Sequence, residues 1–98
     1  NSFINESANG TETYYYKPID KKAARFVQSE LVKSLNLRNI GTKRARMYVL
    51  RHIKAPSVLI EPCFMTNPKE YALIKKPSFR EKIATGTVNG IKKYFNNI

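Results

Sequence analysis

The chain is poor in the residues that most often carry covalent or metal chemistry. Among its 98 residues there is one cysteine, Cys63, and one histidine, His52. A lone cysteine excludes an internal disulfide framework and any metal site built on a cysteine pair. With no adjacent histidine to lower its pKa, Cys63 is expected to serve as a small buried apolar residue. A metal site needs three or four converging ligands, so His52 is expected to be structural.

Other sequence signals are equally scarce. No apolar run approaches the ~20 residues of a membrane-spanning helix, and no charged-then-apolar leader is present. Ser2, Ser29 and Ser57 lie in no nucleophile-elbow string, and there is no glycine-rich phosphate loop. The chain begins with Asn1 rather than Met, so we expect a processed, trimmed or partial product. This length allows one small domain at most.

Acidic residues are also few. Seven Asp and Glu stand against 18 Lys and Arg, which gives a formal net charge of +11. Such a surface attracts polyanions, more weakly as salt rises. Nucleic acid, anionic lipid and the anionic wall of a bacterium all qualify as partners. The basic residues are scattered rather than gathered in one tract, so a solvated basic surface is an equal alternative.

The first third of the chain has two clear structural patterns. Residues 11–16 are rich in β-branched and aromatic residues, which favours a strand. At least one ring of the Tyr14, Tyr15 and Tyr16 run is expected in the core, because alternate strand residues face opposite ways. Asp20 can cap a helix over about 21–35. The apolar stripe of this helix consists of Ala24, Val27, Leu31 and Leu35.

The central third predicts two further strands. Residues 36–46 are polar and basic, with Gly41 as a turn residue, and lead to a strand at Met47–Arg51. Ser57–Ile60 is an uninterrupted apolar stretch, expected at the centre of a sheet covered on both faces. The strand–helix–strand order favours a parallel pair. We therefore predict an α/β fold, a layered and mostly parallel sheet flanked by helices.

Two capped helices close the chain. Asn67, Pro68 and Glu70 supply a capping residue, a proline at the first helical position and a glutamate three residues after the cap. A second capping box at Ser78 begins a helix that runs to about residue 95. Gly86 and Gly90 lie on one side of it, where another backbone is expected to approach closely. The predicted buried stripe of this helix is Ala84, Val88, Ile91 and Phe95.

Glu61 is the strongest candidate for chemistry. It directly follows Ser57–Ile60, and ligand crevices of open α/β sheets form at the carboxyl ends of the strands. Apolar neighbours disfavour an ionised carboxylate, which tends to raise its pKa toward the range useful for general acid–base catalysis. The alternative is a glutamate that accepts hydrogen bonds from loop amides.

Several strings together carry a family resemblance. The most specific is a buried strand ending in Glu61 and followed by Phe64 and Thr66-Asn67-Pro68-Lys69-Glu70. The others are GTETYY at 10–15, GTKR at 41–44, YVLR at 48–51 and APSVLIE at 55–61. Over nearly its whole length the chain resembles the carboxyl-terminal half of the catalytic domain of the zinc-dependent N-acetylmuramoyl-L-alanine amidases of bacteria and their phages.

The resemblance implies a reaction and a cofactor. These enzymes cut the amide between the lactyl group of N-acetylmuramic acid and L-alanine in peptidoglycan. Glu61 would take the proton of a zinc-activated water and pass it to the leaving amine. In the family the zinc is held by two histidines and a glutamate, all upstream of the matching part. Asn1-Ser2 look like the end of a Ser-x-His-x-Asn-Ala/Ser string, so the nearest ligand would lie two positions before Asn1.

For this chain, the resemblance implies an enzyme fragment that lacks its zinc ligands and is expected to be inactive alone. Ile40 replaces an arginine common in these amidases, and Pro62-Cys63 stand where a glycine is common, which affects substrate fit more than reaction type. The alternatives are a non-catalytic basic wall-binding or regulatory module and, last, a small nucleic-acid-binding protein.

The resemblance also indicates partners and a location. The expected partners are peptidoglycan and the anionic cell wall. The expected location is secreted or in the wall, or phage-encoded and released at lysis. An uncovered sheet edge would invite pairing with another chain.

Overall fold

A computed structural model describes residues 5–98. The strands are β1 (Thr11–Tyr15), β2 (Asn39–Arg44) and β3 (Leu59–Glu61). The helices are α1 (Lys21–Leu35), α2 (Tyr48–Arg51), α3 (Pro68–Ile74) and α4 (Pro77–Phe95), with a 3-10 turn at Pro18–Asp20. The α/β fold class is confirmed, and the predicted first strand, first helix and two final helices all form.

The sheet has the order β2-β1-β3. β1 runs parallel to β2, and α1 connects the two, as the strand–helix–strand order predicted. β3 runs antiparallel to β1. The described sheet is therefore half parallel rather than mostly parallel. Within residues 5–98, β3 is an outer strand with only half-buried residues, so its predicted central position is wrong for this part of the chain.

Two assignments in the middle of the chain are corrected. The polar segment predicted as a loop contains β2, and the predicted strand at Met47–Arg51 is mostly the one-turn helix α2. An outer strand needs hydrogen bonds on one side only and tolerates charged residues such as Lys43 and Arg44. In α2, Leu50 alone is buried while its apolar neighbours Tyr48 and Val49 are exposed. A short apolar run does not distinguish these cases.

Helices α1 and α4 pack with their backbones unusually close. A Cβ atom on Gly90 would lie 2.5 Å from the Cα of Val27, and one on Gly86 would lie 3.1 Å from the carbonyl oxygen of Glu30. The prediction that another backbone approaches these glycines is confirmed. The core beside this contact consists of Val27, Leu31, Leu35 and Phe79.

The buried stripe predicted for α4 is wrong. Its four residues are all exposed, with 48% of Val88 and 62% of Phe95 accessible to solvent. The buried residues are Phe79, Gly86 and Gly90, because close approach to α1 places the glycine side of the helix inward. Lys76, rather than Ser78, is the N-cap. No helix within residues 5–98 is long and apolar enough to cross a membrane.

Candidate functional site

Glu61 faces a second glutamate across the sheet. In the antiparallel register of β1 and β3, Glu61 is the direct partner of Glu12. Directly opposed residues project from the same face of a sheet. Thr11 and Thr13 are buried on the other face, where the Thr13 hydroxyl donates to Oε1 of Gln28 on α1 at 2.9 Å. The two carboxylates therefore share the face turned away from α1.

Tyr14 completes this acidic group. Burial raises its pKa well above the usual range of tyrosine, a hydrogen bond with the Glu12 side chain adds to the effect, and the negative charge of Glu61 contributes further. A phenol that keeps its proton donates a hydrogen bond to a carboxylate. Glu12, Tyr14 and Glu61 are thus one electrostatically coupled cluster, to which the sequence pattern alone assigned only Glu61.

The cluster lies at an unexpected end of the sheet. Because β3 is antiparallel to β1, the carboxyl end of β3 lies beside the amino end of β1. The rule that places crevices at the carboxyl ends of parallel strands therefore does not explain the location of Glu61. A shallow pocket of about 370 Å³ lies beside α1 and β2, whereas the pocket at Glu61, of about 310 Å³, is lined by residues 60–66. The loop after β3 builds this second pocket.

Glu70 holds that loop in place. Its buried carboxylate accepts hydrogen bonds from the backbone N–H of Phe64 at 2.7 Å and of Gly10 at 2.9 Å. The Thr11 hydroxyl also donates to the carbonyl oxygen of Pro62 at 2.8 Å. Gly10 has φ of +109°, and a Cβ there would lie 2.6 Å from the carbonyl oxygen of Arg38. The backbone therefore requires glycine at this anchor.

The predicted start of α3 is confirmed, but Glu70 has a different role. The Asn67 side chain accepts from the N–H groups of Lys69 and Glu70, as a capping residue does. The Glu70 carboxylate does not return to Asn67 and instead joins the loop to the start of β1. A glutamate three residues after a cap predicts a capping box. The spacing of Asn67 and Glu70 does not predict the hydrogen bond between Glu70 and Gly10, which are 60 residues apart in the sequence.

The other residues singled out in the sequence lie around or outside the cluster. Cys63 packs against the core, and burial followed by the charge of Glu70 raises the pKa of its thiol, which agrees with an unreactive role. Ile40 packs beside Gly10, its Cγ1 3.0 Å from a hypothetical Cβ there. His52 is exposed after α2, with Nε2 3.2 Å from a terminal nitrogen of Arg51.

The described residues do not complete a zinc site. Within residues 5–98, no three His, Cys, Asp or Glu side chains converge in a way that could hold a metal ion. Glu12 and Glu61 offer two carboxylates, whereas a catalytic zinc has three protein ligands. The expectation for Asn1 and Ser2 lies outside the described residues.

The family model described as N-acetylmuramoyl-L-alanine amidase matches residues 1–93. The chain belongs to the N-acetylmuramoyl-L-alanine amidase family, as the resemblance of its motifs predicted.

Relatives and solved structures agree with this assignment. The chain is 34% identical over 99 residues to the amidase LytC of Bacillus subtilis, covering 97% of this chain and 20% of LytC. It is 32% identical over 100 residues to the germination-specific amidase of the same species, covering 97% of this chain and 41% of that protein.

The catalytic domain of CwlV, an N-acetylmuramoyl-L-alanine amidase from Bacillus (Paenibacillus) polymyxa, superposes with a TM-score of 0.91 at 30% identity. The match covers 98% of this chain and 54% of the CwlV chain. The chain thus spans about half of a solved catalytic domain and less than half of the two curated relatives.

Proposed function

We propose that this chain supplies the general base, Glu61, of an amidase that hydrolyses the bond between N-acetylmuramic acid and L-alanine in peptidoglycan. The observation that carries the proposal is the position of Glu61 at the end of β3, opposite Glu12 and in the lining of the loop pocket. Membership of the amidase family supports the substrate class.

The three residues of the cluster have different roles in the transfer of one proton. Glu61 accepts the proton of the attacking water and returns it to the leaving amine as the amide bond breaks. Tyr14 remains protonated near neutral pH, because burial and then a hydrogen bond with Glu12 raise its pKa. We assign Glu61 to the water, while Glu12 and Tyr14 lie beside it on the same face of the sheet. Glu70 positions the pocket loop and does not itself contact the reacting atoms.

We also propose that zinc is the cofactor of the parent domain and that its ligands lie upstream of Asn1. The family is generally zinc-dependent, and Asn1-Ser2 resemble the end of the family's histidine-containing string. Bound zinc supplies a water of lowered pKa and a polarised carbonyl. On this proposal the 98-residue chain alone is inactive, and the parent protein acts in the cell wall, as a secreted enzyme or as a phage enzyme released at lysis.

The decisive experiment compares Glu61→Gln with the wild type in the zinc-loaded full protein. Removal of the base should lower kcat on purified peptidoglycan by roughly 10²–10⁴-fold, measured as release of stem peptides with free L-alanine amino termini. Glu81→Gln, which changes an exposed glutamate on α4, should act as the wild type. Wild-type release by Glu61→Gln would refute the assignment.

A non-catalytic wall-binding module is the second candidate, favoured by the net charge of +11. It predicts that the zinc-loaded wild type sediments with peptidoglycan yet releases no stem peptides. Hydrolysis by the wild type excludes it.

A further inference from the structure

A group of cations lies at the end of β1 and β2 farthest from Glu61. No aspartate or glutamate occurs between Glu30 and Glu61, whereas Lys43, Arg44 and Arg46 lie in that interval. Arg44 pairs with Tyr15 in the register of β1 and β2. Because Tyr15 is three residues beyond Glu12, the Arg44 position lies roughly 10 Å along the strand from the acidic cluster.

Arg44 contacts Tyr16 directly, and the N–H of Ala45 donates to the carbonyl oxygen of Tyr15 at 2.8 Å, which places Arg46 beside the same end of β1. The Cζ atom of Arg44 lies 4.4 Å from the centre of the Tyr16 ring, and its Nε donates to the Tyr16 carbonyl oxygen at 3.0 Å. Hydrogen bonding from Arg46 lowers the pKa of Tyr16 against the opposing effect of burial, and the charge of Arg44 lowers it further. Side chains already held in place lose less conformational freedom when a ligand binds.

These guanidinium groups have no acidic partner among residues 5–98. The ion pairs of that range join Lys17 to Asp20, and Lys33 and Lys93 to Glu30. Arg44 and Arg46 are both exposed. The like charges of Arg44 and Arg46 repel each other, so a bound anion lowers the energy of the arrangement.

Arg51 adds a third cation at the same end of the sheet. Its Nε is buried and has no hydrogen-bond partner within the described range. The carbonyl oxygen of the preceding Leu50 accepts a hydrogen bond from Lys17, the residue after Tyr16. The unpaired Nε–H of Arg51 indicates that hydrogen-bond donors outnumber acceptors at this end of the sheet.

We propose that Tyr16, Arg44 and Arg46 form a docking site for the phosphodiester groups of an anionic wall polymer. The guanidinium fork matches phosphate oxygens in geometry and charge. Within residues 5–98, β2 is an outer strand of the sheet, and its charged residues discourage pairing with another strand. The choice of a wall polymer over nucleic acid rests on the proposed function. A polymer bound here leaves the Glu61 pocket free for peptidoglycan.

The test measures binding of poly(glycerol phosphate) to the full protein by calorimetry across a range of salt concentrations. Arg44→Gln/Arg46→Gln should weaken binding about tenfold and lower the slope of log affinity against log salt by about 1.4, which is two contacts at ~0.7 each. The matched control Lys82→Gln/Lys92→Gln removes the same charge from exposed positions of α4 and should change affinity less than twofold. Equal losses in both variants would overturn the site in favour of a nonspecific effect of net charge.

Two further measurements complete the test. Arg44→Lys/Arg46→Lys keeps the charge but loses the fork, so it should bind about threefold more weakly with an unchanged salt slope. Wild-type affinity in this variant would overturn the role of the arginine forks, and the variant carries the test if the glutamine pair unfolds.

Single-stranded nucleic acid with the same number of phosphates should bind more weakly, and equal or tighter binding through Arg44 and Arg46 would overturn the wall-polymer assignment. Binding is read without hydrolysis, so an inactive wild type would refute the proposed function and leave this result intact.

Discussion

Glu12 and Glu61 stand directly opposite each other where β1 and β3 pair in antiparallel register. Tyr14 lies on the same side, and both carboxylates contribute to raising its pKa. Like charges facing each other across a strand pair are ordinarily destabilising. Stability does not explain their juxtaposition, which is why we propose that the position serves chemistry.

The first prediction concerns the titration of Tyr14. Glu12→Gln removes a negative charge and a carboxylate acceptor, so the pKa of Tyr14 should fall toward the tyrosine value of about 10. Glu61→Gln should lower it by a smaller amount, because its contribution is weaker. Ultraviolet difference titration of tyrosinate measures the shift, with Tyr14→Phe to identify the signal. An unchanged late-titrating tyrosine in Glu12→Gln would contradict the coupling, provided that circular dichroism shows a folded chain at the same pH.

The second prediction concerns Glu70. Glu70→Ala leaves the N–H groups of Gly10 and Phe64 without their buried acceptor. Two lost charge-assisted hydrogen bonds should lower the free energy of unfolding by about 3 kcal/mol, measured by urea denaturation. Glu81→Ala, on the exposed side of α4, should change it by less than about 0.5 kcal/mol. Equal effects in the two variants would show that the anchor contributes nothing.

The third prediction concerns the contact between α1 and α4. Alanine normally stabilises a helix relative to glycine by about 1 kcal/mol. At Gly90 the added Cβ would meet backbone atoms of Val27 at 2.5 Å, so Gly90→Ala should instead lower the free energy of unfolding by about 2 kcal/mol. Thermal denaturation with Thr85→Ala, an exposed position of α4, as control measures the difference. A higher melting temperature for Gly90→Ala would contradict the close packing.

The fourth prediction concerns stability in acid. Burial acts to raise the pKa of Asp20, but hydrogen bonds from the N–H of Ser57 and from Lys17 outweigh it, so its pKa is lowered. A carboxylate with a lowered folded pKa stabilises the fold above its unfolded value near 4. That contribution should be lost as the pH falls below about 4 toward the lowered pKa.

The prediction on acid stability is tested by measuring the free energy of unfolding as a function of pH. Asp20→Asn should be less stable than the wild type by about 2 kcal/mol at neutral pH, and the two curves should converge in acid. Parallel curves would show that Asp20 does not cause the acid sensitivity.

Local signals predicted the parts of the fold that depend on neighbouring residues. The buried stripe of α1 and the Asn67 cap of α3 each depend on residues within a single helix, and both are found where the sequence placed them. The role of β2 depends on pairing with β1, and the direction of β3 depends on which neighbour it meets. Such choices are made between distant segments, so alternation and propensity do not reveal them.

The candidate site was predictable to a similar extent. Glu61 stands out because it ends an apolar strand, and its role as base stays a prediction. Glu12 lies in a strand of mixed pattern and gains significance only through its register with Glu61. Tyr14 is half-buried rather than core, as are Tyr15 and Tyr16, so the expected core ring is not found. The burial of the three tyrosines depends on the pairing of β1 with β2 and β3, and the sequence of residues 11–16 does not determine that pairing.

The carboxylate of Glu70 links the two chain segments that carry Glu12 and Glu61. It accepts hydrogen bonds from the N–H of Gly10, two positions before Glu12, and from the N–H of Phe64, three positions after Glu61. When the Glu70 side chain leaves its position, both hydrogen bonds break, so the segments before Glu12 and after Glu61 lose their anchor together. Hydrogen exchange of both the Gly10 and the Phe64 amides should therefore be faster in Glu70→Ala than in the wild type.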